Sequence, residues 1–210
     1  QFKLDNYQFI KYNKPQRRFD FFNDLVAIKC YNFYGNAVNY ADLKYVLNTT
    51  VESNWHFAFN GWSVAVFDSI SIKPWKTRIN GNSGYASPYN NCLAFADQDR
   101  ASFDFGQTTY CGPNPNNWKT DLLNFLNAIP QNNYVLAYSS DAHYASTYSN
   151  ALYQAFESFG SANIRNTSDS LPMIIFGKKG NAIGQANELI GTAPSSSLTL
   201  SDSIRTRWNS

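Results

Sequence analysis

The stretch WKTDLLNFLNAIPQNNYVLAYSSD, Trp118 to Asp141, decides the fold. Trp118, Leu122, Phe125, Leu126 and Ile129 recur at i, i+4, i+7, i+8 and i+11, which puts all five on one helical face. Asn116 or Asn117 supplies a cap, and Pro130 stops the helix because its nitrogen has no proton to donate. The spacing therefore predicts a helix over residues 118–128 whose apolar face is core. YVLAYSSD (Tyr134 to Asp141) then reads as a buried strand.

Downstream, Tyr148, Ala151, Leu152, Ala155, Phe156 and Phe159 form a second stripe. It predicts a helix from about Ser146 to Phe159, with Gly160 at the left-handed C-cap. MIIFG (Met173 to Gly177) is the next buried strand, and Lys178-Lys179-Gly180 turns the chain. Pro194 and a serine run precede a last strand, SLTLSDSI (Ser197 to Ile204).

Upstream, LVAIKCYNF (Leu25 to Phe33) alternates apolar and polar residues, the pattern of a half-buried strand. LKYVLNTTV (Leu43 to Val51) is a second strand. WHFAF (Trp55 to Phe59) and WSVAVFDSISI (Trp62 to Ile72) flank Asn60-Gly61, a strong hairpin signal. NGNSGYASPYNN (Asn80 to Asn91) is a loop, CLAFAD (Cys92 to Asp97) a short buried strand, and ASFDFG (Ala101 to Gly106) its hairpin partner. CGPNPNN (Cys111 to Asn117) is a rigid loop leading into the first helix.

Strands come first, then helix–strand–helix–strand, without the regular crossovers of a doubly wound sheet. The expected class is α+β: β-sandwich-like twisted sheets, largely antiparallel, flanked by short helices. Residues 1–24 read as an opening segment, 25–195 as the domain, and 196–210 as a C-terminal strand or linker.

Charged residues make up 15% of the chain, against about a quarter in an ordinary domain. Polarity comes from Asn, Ser, Tyr and Gln, and aromatics reach 17%. Such surfaces suit neutral, hydroxyl-bearing partners, although many extracellular β-rich domains share the composition. A net charge of +2, with basic residues clustered only at Lys11, Lys14, Arg17 and Arg18, lacks the footprint of a nucleic-acid binder. That cluster reads as a solvated linker.

Cys30, Cys92 and Cys111 allow one disulfide plus a thiol, or three thiols, with Cys92–Cys111 the first pair to test. They form no zinc pattern. No apolar run reaches the ~20 residues that span a bilayer. The opening QFKLDNYQFI is no signal peptide, and the chain stops at RTRWNS, so it reads as part of a longer polypeptide. Asn48-Thr49-Thr50 and Asn166-Thr167-Ser168 are acceptor sequons.

The order and spacing from Cys92 to Gly191 resemble the interleukin-like EMT inducer (ILEI) domain, also called PANDER-like or GG domain. LLNFLNAIPQNNYVL matches the family's first helix and its exit. Asp141 falls at the family's acidic strand end, Gly160-Ser161 at its Gly-Ser turn, and Asp169-Ser170 at its Asp-Ser step. FGKKG (Phe176 to Gly180) matches the Gly-x-Lys-Gly turn, and Glu188 falls near the Glu of a Ser-Pro-Phe-Glu element whose other residues are absent. The Arg and Trp that usually flank the Asp-Ser step are Ser168 and Leu171 here, and the family's amino-terminal cysteine arrangement is missing. GWSVAVFD (Gly61 to Asp68) competes with CLAFAD for the family's early strand. The resemblance implies a non-enzymatic, extracellular or cell-surface fold. Members are secreted signalling proteins or modules of larger secreted and surface proteins, bacterial ones included. A related stem domain of a mammalian O-mannose glycan glycosyltransferase binds sugar.

Nucleophilic catalysis needs Ser or Cys beside His, and the chain has only His56 and His143. His143 follows Asp141 at a strand end beside Ser139 and Ser140, so a hydrolase using Asp141 and His143 is one reading. No G-x-S-x-G elbow accompanies it, and a solvent-exposed loop histidine is the expectation. Asp97-Gln98-Asp99 is a D-x-D step that hairpin turns also produce, and Asp97, Asp99 and Asp104 are oxygen donors of the kind calcium takes. The expectation is no metal and no cofactor.

The favoured reading is a binding module for a glycan or a protein. Its candidate contacts are Asp141, His143 and Tyr144 from one loop and Ser168, Asp169 and Ser170 from another, with Trp75, Tyr85 or Tyr89 as aromatic platforms. Asp accepts from sugar hydroxyls while rings stack on sugar faces. Equally, Asp141 and Asp169 are residue types that cap turns and helix starts. The alternative is a structural or assembly domain of a bacterial surface or secretion-associated protein that binds a protein partner.

Overall fold

The computed structural model describes residues 10–33, 44–54, 60–76, 101–107, 117–140 and 142–207. Among these, two five-stranded antiparallel sheets face one another, and a helical layer covers the far side of the second sheet.

The first sheet is built on β2 (Arg18–Phe33). β10 (Ser197–Arg207) pairs with β2 from Phe22 to Phe33. β3 (Lys44–Leu47) pairs with Ile28 to Tyr31 on the opposite edge, and β4 (Thr50–Asn54) lies beyond it. β1 (Ile10–Asn13) pairs with the first residues of β2. The second sheet runs in the order β6 (Phe103–Gly106), β5 (Gly61–Phe67), β7 (Tyr134–Ser140), β8 (Met173–Lys178), β9 (Asn187–Ile190). The helices are α1 (Trp118–Ala128) and α2 (Asn150–Glu157).

The second sheet is the middle layer, and this explains its sequence. Successive side chains of a strand point to opposite faces. Trp62, Val64, Val66, Val135, Ala137, Met173 and Ile175 join Leu122, Phe125, Leu126, Leu152 and Phe156 in one core. Ala65, Phe67, Leu136, Tyr138, Ile174 and Phe176 join Ile28, Cys30, Tyr45, Leu47, Leu200 and Ile204 in the other. With both faces covered, WSVAVF, VLAY and MIIF read as continuous apolar runs. β2 and β10 carry one exposed face and so alternate. At ~1.5–3 kcal/mol per fully buried large apolar side chain, these two cores dominate the folding energy.

Several polar groups inside the sandwich are paired, whereas the buried Asn32 Oδ1 accepts no hydrogen bond. Ser63 Oγ donates to Asp104 Oδ1 at 2.7 Å, and Tyr45 Oη donates to the Ala101 carbonyl at 2.6 Å. Asn32 of β2 donates across the sheets to the Met173 carbonyl at 3.0 Å. Cys30 is a free, buried thiol whose pKa burial pushes up.

α1 and β8 lie where the periodicity places them. Other expectations need correction. Where it is described, from residue 10, the opening segment is a strand hairpin: β1 pairs with the start of β2, and Lys14 and Arg17 sit exposed on the turn. The strand expected over 43–51 is broken at Asn48, whose φ is +53° and whose Oδ1 accepts from the Ala27 amide at 2.9 Å. Asn60 does turn the chain (φ +60°), while residues 55–59, the expected first arm of that hairpin, lie outside the described residues. From Gly61 to Val64 the two edges of β5 are taken by β6 and β7.

β5 also ends earlier than expected, because the Asp68 carboxylate collects Ile70 N, Ser71 N and Ser71 Oγ and folds the chain back. The second helix starts four residues late. Tyr144 is left-handed, a 3-10 turn follows over Ala145–Thr147, and Ser149 is the true cap, accepting from Leu152 N at 3.2 Å. β9 was not foreseen. Among the described residues helices are few, and the class is a β-rich sandwich with one helical layer. The expected elements over 55–59, 80–91 and 92–97, and most of 111–117, lie outside the described residues.

Candidate functional site: a two-loop ledge

β7 leaves the middle sheet at Ser140 and β8 enters it at Met173 beside it. The loops around this point, residues 142–149 and 167–172, are bound into one ledge. The His143 amide donates to the Asp169 carbonyl at 2.9 Å. Ser146 donates twice to the Asp169 carboxylate, from N at 2.7 Å and from Oγ at 2.6 Å. Asp169 therefore caps the 3-10 turn from across the chain. Partial burial raises its pKa, but the two Ser146 bonds and nearby positive charge outweigh this and hold the carboxyl below its usual range.

His143 is fully buried, which corrects the expectation of an exposed loop histidine. Its Nε2 lies 3.1 Å from the Leu171 carbonyl. A carbonyl only accepts, so Nε2 carries the proton and Nδ1 is a bare acceptor with no partner. The ring packs against Trp62 at 5.2 Å between centroids. Desolvation lowers its pKa to about 4, so it is neutral at physiological pH.

Three successive carbonyls of the ledge are held from within. His143 O accepts from Tyr148 Oη at 2.5 Å. Tyr144 O accepts from Thr147 Oγ1 at 2.7 Å, and Ala145 O from Tyr153 Oη at 2.6 Å. Tyr148 Oη in turn accepts from Trp62 Nε1 at 2.6 Å.

The outer surface adds a residue that the sequence did not single out. Lys119, in the first turn of α1, hydrogen-bonds Thr147 Oγ1 and lies 5.4 Å from the Trp118 ring centroid and 5.9 Å from that of Tyr144. Desolvation lowers its pKa, partly offset by Asp169. Lys119, Tyr144, Asp169 and Ser170 are half-buried, and Ser146, Thr147 and Ser168 are exposed. The ledge thus offers ammonium donors, a carboxylate acceptor, several hydroxyls and an aromatic ring.

Of the residues expected at the site, His143, Tyr144, Ser168, Asp169 and Ser170 do come together, with His143 beneath the surface. Asp141 lies outside the described residues, as do Tyr85 and Tyr89. Trp75 is elsewhere: its amide donates to Val66 O near the far end of β5, and its ring meets Phe125 edge-on at 6.4 Å. Asp104 is buried against Ser63. Among the described residues no group of three or more His, Cys, Asp or Glu side chains is placed to hold a metal ion.

The Gly-Ser and Gly-x-Lys-Gly steps have a common physical reason. A Cβ on Gly177 would lie 1.9 Å from the Phe159 carbonyl oxygen, so only glycine lets β8 pass the end of α2. Gly160 is left-handed (φ +103°), and a Cβ there would meet the Ala186 amide at 2.7 Å. Lys179, nearly buried, donates to the Leu126 carbonyl and to Ser158 Oγ, each at 2.7 Å, and so ties the end of α1 to the end of α2. Glu188 accepts from Ser161 Oγ, from Ala162 N at 3.1 Å and from Asn163 Nδ2 at 2.9 Å.

Fold and ledge together define a class: a two-sheet sandwich with one helical layer, whose α2 is fastened to the middle sheet by paired glycines and a buried lysine. Residues 60–181, more than half of the chain, match the family described as interleukin-like EMT inducer, and the chain belongs to that family. The match opens at Asn60 and so covers GWSVAVF as well as CLAFAD. It takes in β5 to β8 and both helices, leaving the first sheet outside. No curated protein matches the chain.

Proposed function

We propose that the chain is a non-catalytic extracellular binding module, and that the ledge takes a glycan. One observation carries this reading: a pre-formed, hydroxyl-rich surface sets Lys119 as donor, Asp169 as acceptor and the Tyr144 ring side by side. Neutral sugars need this combination, because their hydroxyls both donate and accept while their C–H faces favour aromatic carbon. The buried, neutral His143 supports a role in holding the loops over a role as a base.

A printed glycan array tests the proposal with the wild-type chain and with Tyr144→Ala and Lys119→Met. Binding to a defined subset of glycans, weakened at least about tenfold in both variants, is the expected result. Silence across the array sinks the glycan reading and leaves a protein partner as the favoured ligand.

A further inference from the structure

We infer that Tyr148 and Tyr153 are the positioning residues of the ledge: their hydroxyls hold the His143 and Ala145 carbonyls and thereby keep Tyr144 left-handed. The inference rests on the ledge being the binding surface, but it makes a claim of its own. Tyr144 has φ +52° and ψ +43°, a conformation that side chains other than glycine's rarely adopt. Such strain persists only where the surroundings over-determine it. Here they do. The carbonyls on either side of residue 144 each accept a tyrosine hydroxyl, at 2.5 and 2.6 Å. The Tyr144 carbonyl itself is held by Thr147, and the flanking His143 and Ser146 amides are held by Asp169.

The two tyrosines are anchored differently. Tyr148 stacks on Phe156 (interplanar angle 3°) and is fixed by the Trp62 indole, so it ties the ledge to the middle sheet. Tyr153 carries the Arg165 guanidinium over its ring at 4.7 Å, so it ties the ledge to the outside of α2. Removing the Tyr153 hydroxyl deletes one hold on the ledge; removing that of Tyr148 deletes one hold and also the acceptor of the Trp62 indole N–H.

The test is amide hydrogen exchange on the whole chain for wild type, Tyr148→Phe and Tyr153→Phe, with glycan-array binding measured on the same samples. Exchange at His143, Ser146 and Thr147 is expected to quicken about tenfold in each variant, the effect of losing one net hydrogen bond. Leu136 and Ile174 in the middle sheet keep their protection, which shows that the fold is intact. Glycan binding is expected to fall by a similar factor. Unchanged exchange in both variants overturns the inference. Faster exchange with undiminished binding overturns the positioning role but spares the binding proposal. If wild type binds no glycan, the binding proposal fails, and the exchange data alone decide whether the hydroxyls hold the ledge.

Discussion

Gly177→Ala is the sharpest test of how α2 is fastened to the middle sheet. The added Cβ would start 1.9 Å from the Phe159 carbonyl oxygen, whereas real Cβ contacts closer than 3.0 Å essentially never occur. Neither side can yield cheaply. Gly177 pairs with Val135 in the centre of the sheet, and Phe159 is followed by Gly160, whose carbonyl accepts from Gly184 N and Ala186 N. Overpacking of this kind costs about 1–3 kcal/mol where side chains can adjust, and here the obstacle is backbone, so about 3–4 kcal/mol is expected. At about 2–4 °C per kcal/mol for a chain of this size, Tm falls by roughly 10 °C. Gly184→Ala is the control. Its φ of +87° carries the left-handed penalty of about 1–2 kcal/mol, but nothing lies within 4 Å of the new Cβ. Thermal and urea unfolding of both variants measure the difference. Equal losses, or a loss at Gly177 of about 1 kcal/mol, would refute the close approach.

Three further outcomes follow from the polar groups. His143 has a folded pKa of about 4 against an ordinary 6.5, so the unfolded chain binds the proton first. Its contribution is complete above the unfolded pKa and is lost as pH falls from 6.5 towards 4, by up to about 3 kcal/mol; His143→Gln should flatten urea midpoints across that window. Lys179→Met strips a donor from the Leu126 carbonyl and from Ser158, and should cost about 2 kcal/mol in urea unfolding. Ser63→Ala removes a donor from the buried Asp104 carboxylate and should lower stability by about 1–3 kcal/mol, read by calorimetry.

The elements legible in the sequence were those whose pattern is local. The α1 stripe, the stop at Pro130 and the MIIF run of β8 each answer to neighbours within a few residues. β5 shows where that logic ends. Asn60 turns the chain as its residue type suggests, but the strand partner is chosen by distant residues, with Gly61 opposite Ser140 on one edge and Gly106 on the other. The start of α2 failed similarly, because a strained Tyr144 and a cap at Ser149 interrupt a stripe that looks continuous.

At the ledge, residue type singled out two loops that do meet, but not the contacts that hold them together. Asp169 spends its carboxylate on Ser146, and His143 lies under Trp62 rather than in solvent. Both facts depend on two loops meeting, which no spacing within either loop encodes. Lys119 stood unremarked beside the predicted α1 stripe. Only the packing of α1 against α2 brings it to Tyr144 and Thr147.

Glycan binding at the ledge is decided by where a sugar touches the chain. Amide and side-chain NMR shifts, followed while the best-bound array glycan is titrated in, locate that contact directly. The ledge reading predicts perturbations gathered at Lys119, Tyr144 to Thr147 and Ser168 to Ser170. Perturbations gathered on the outward face of the first sheet instead, around Lys29, Val46 and Ser201, would contradict it.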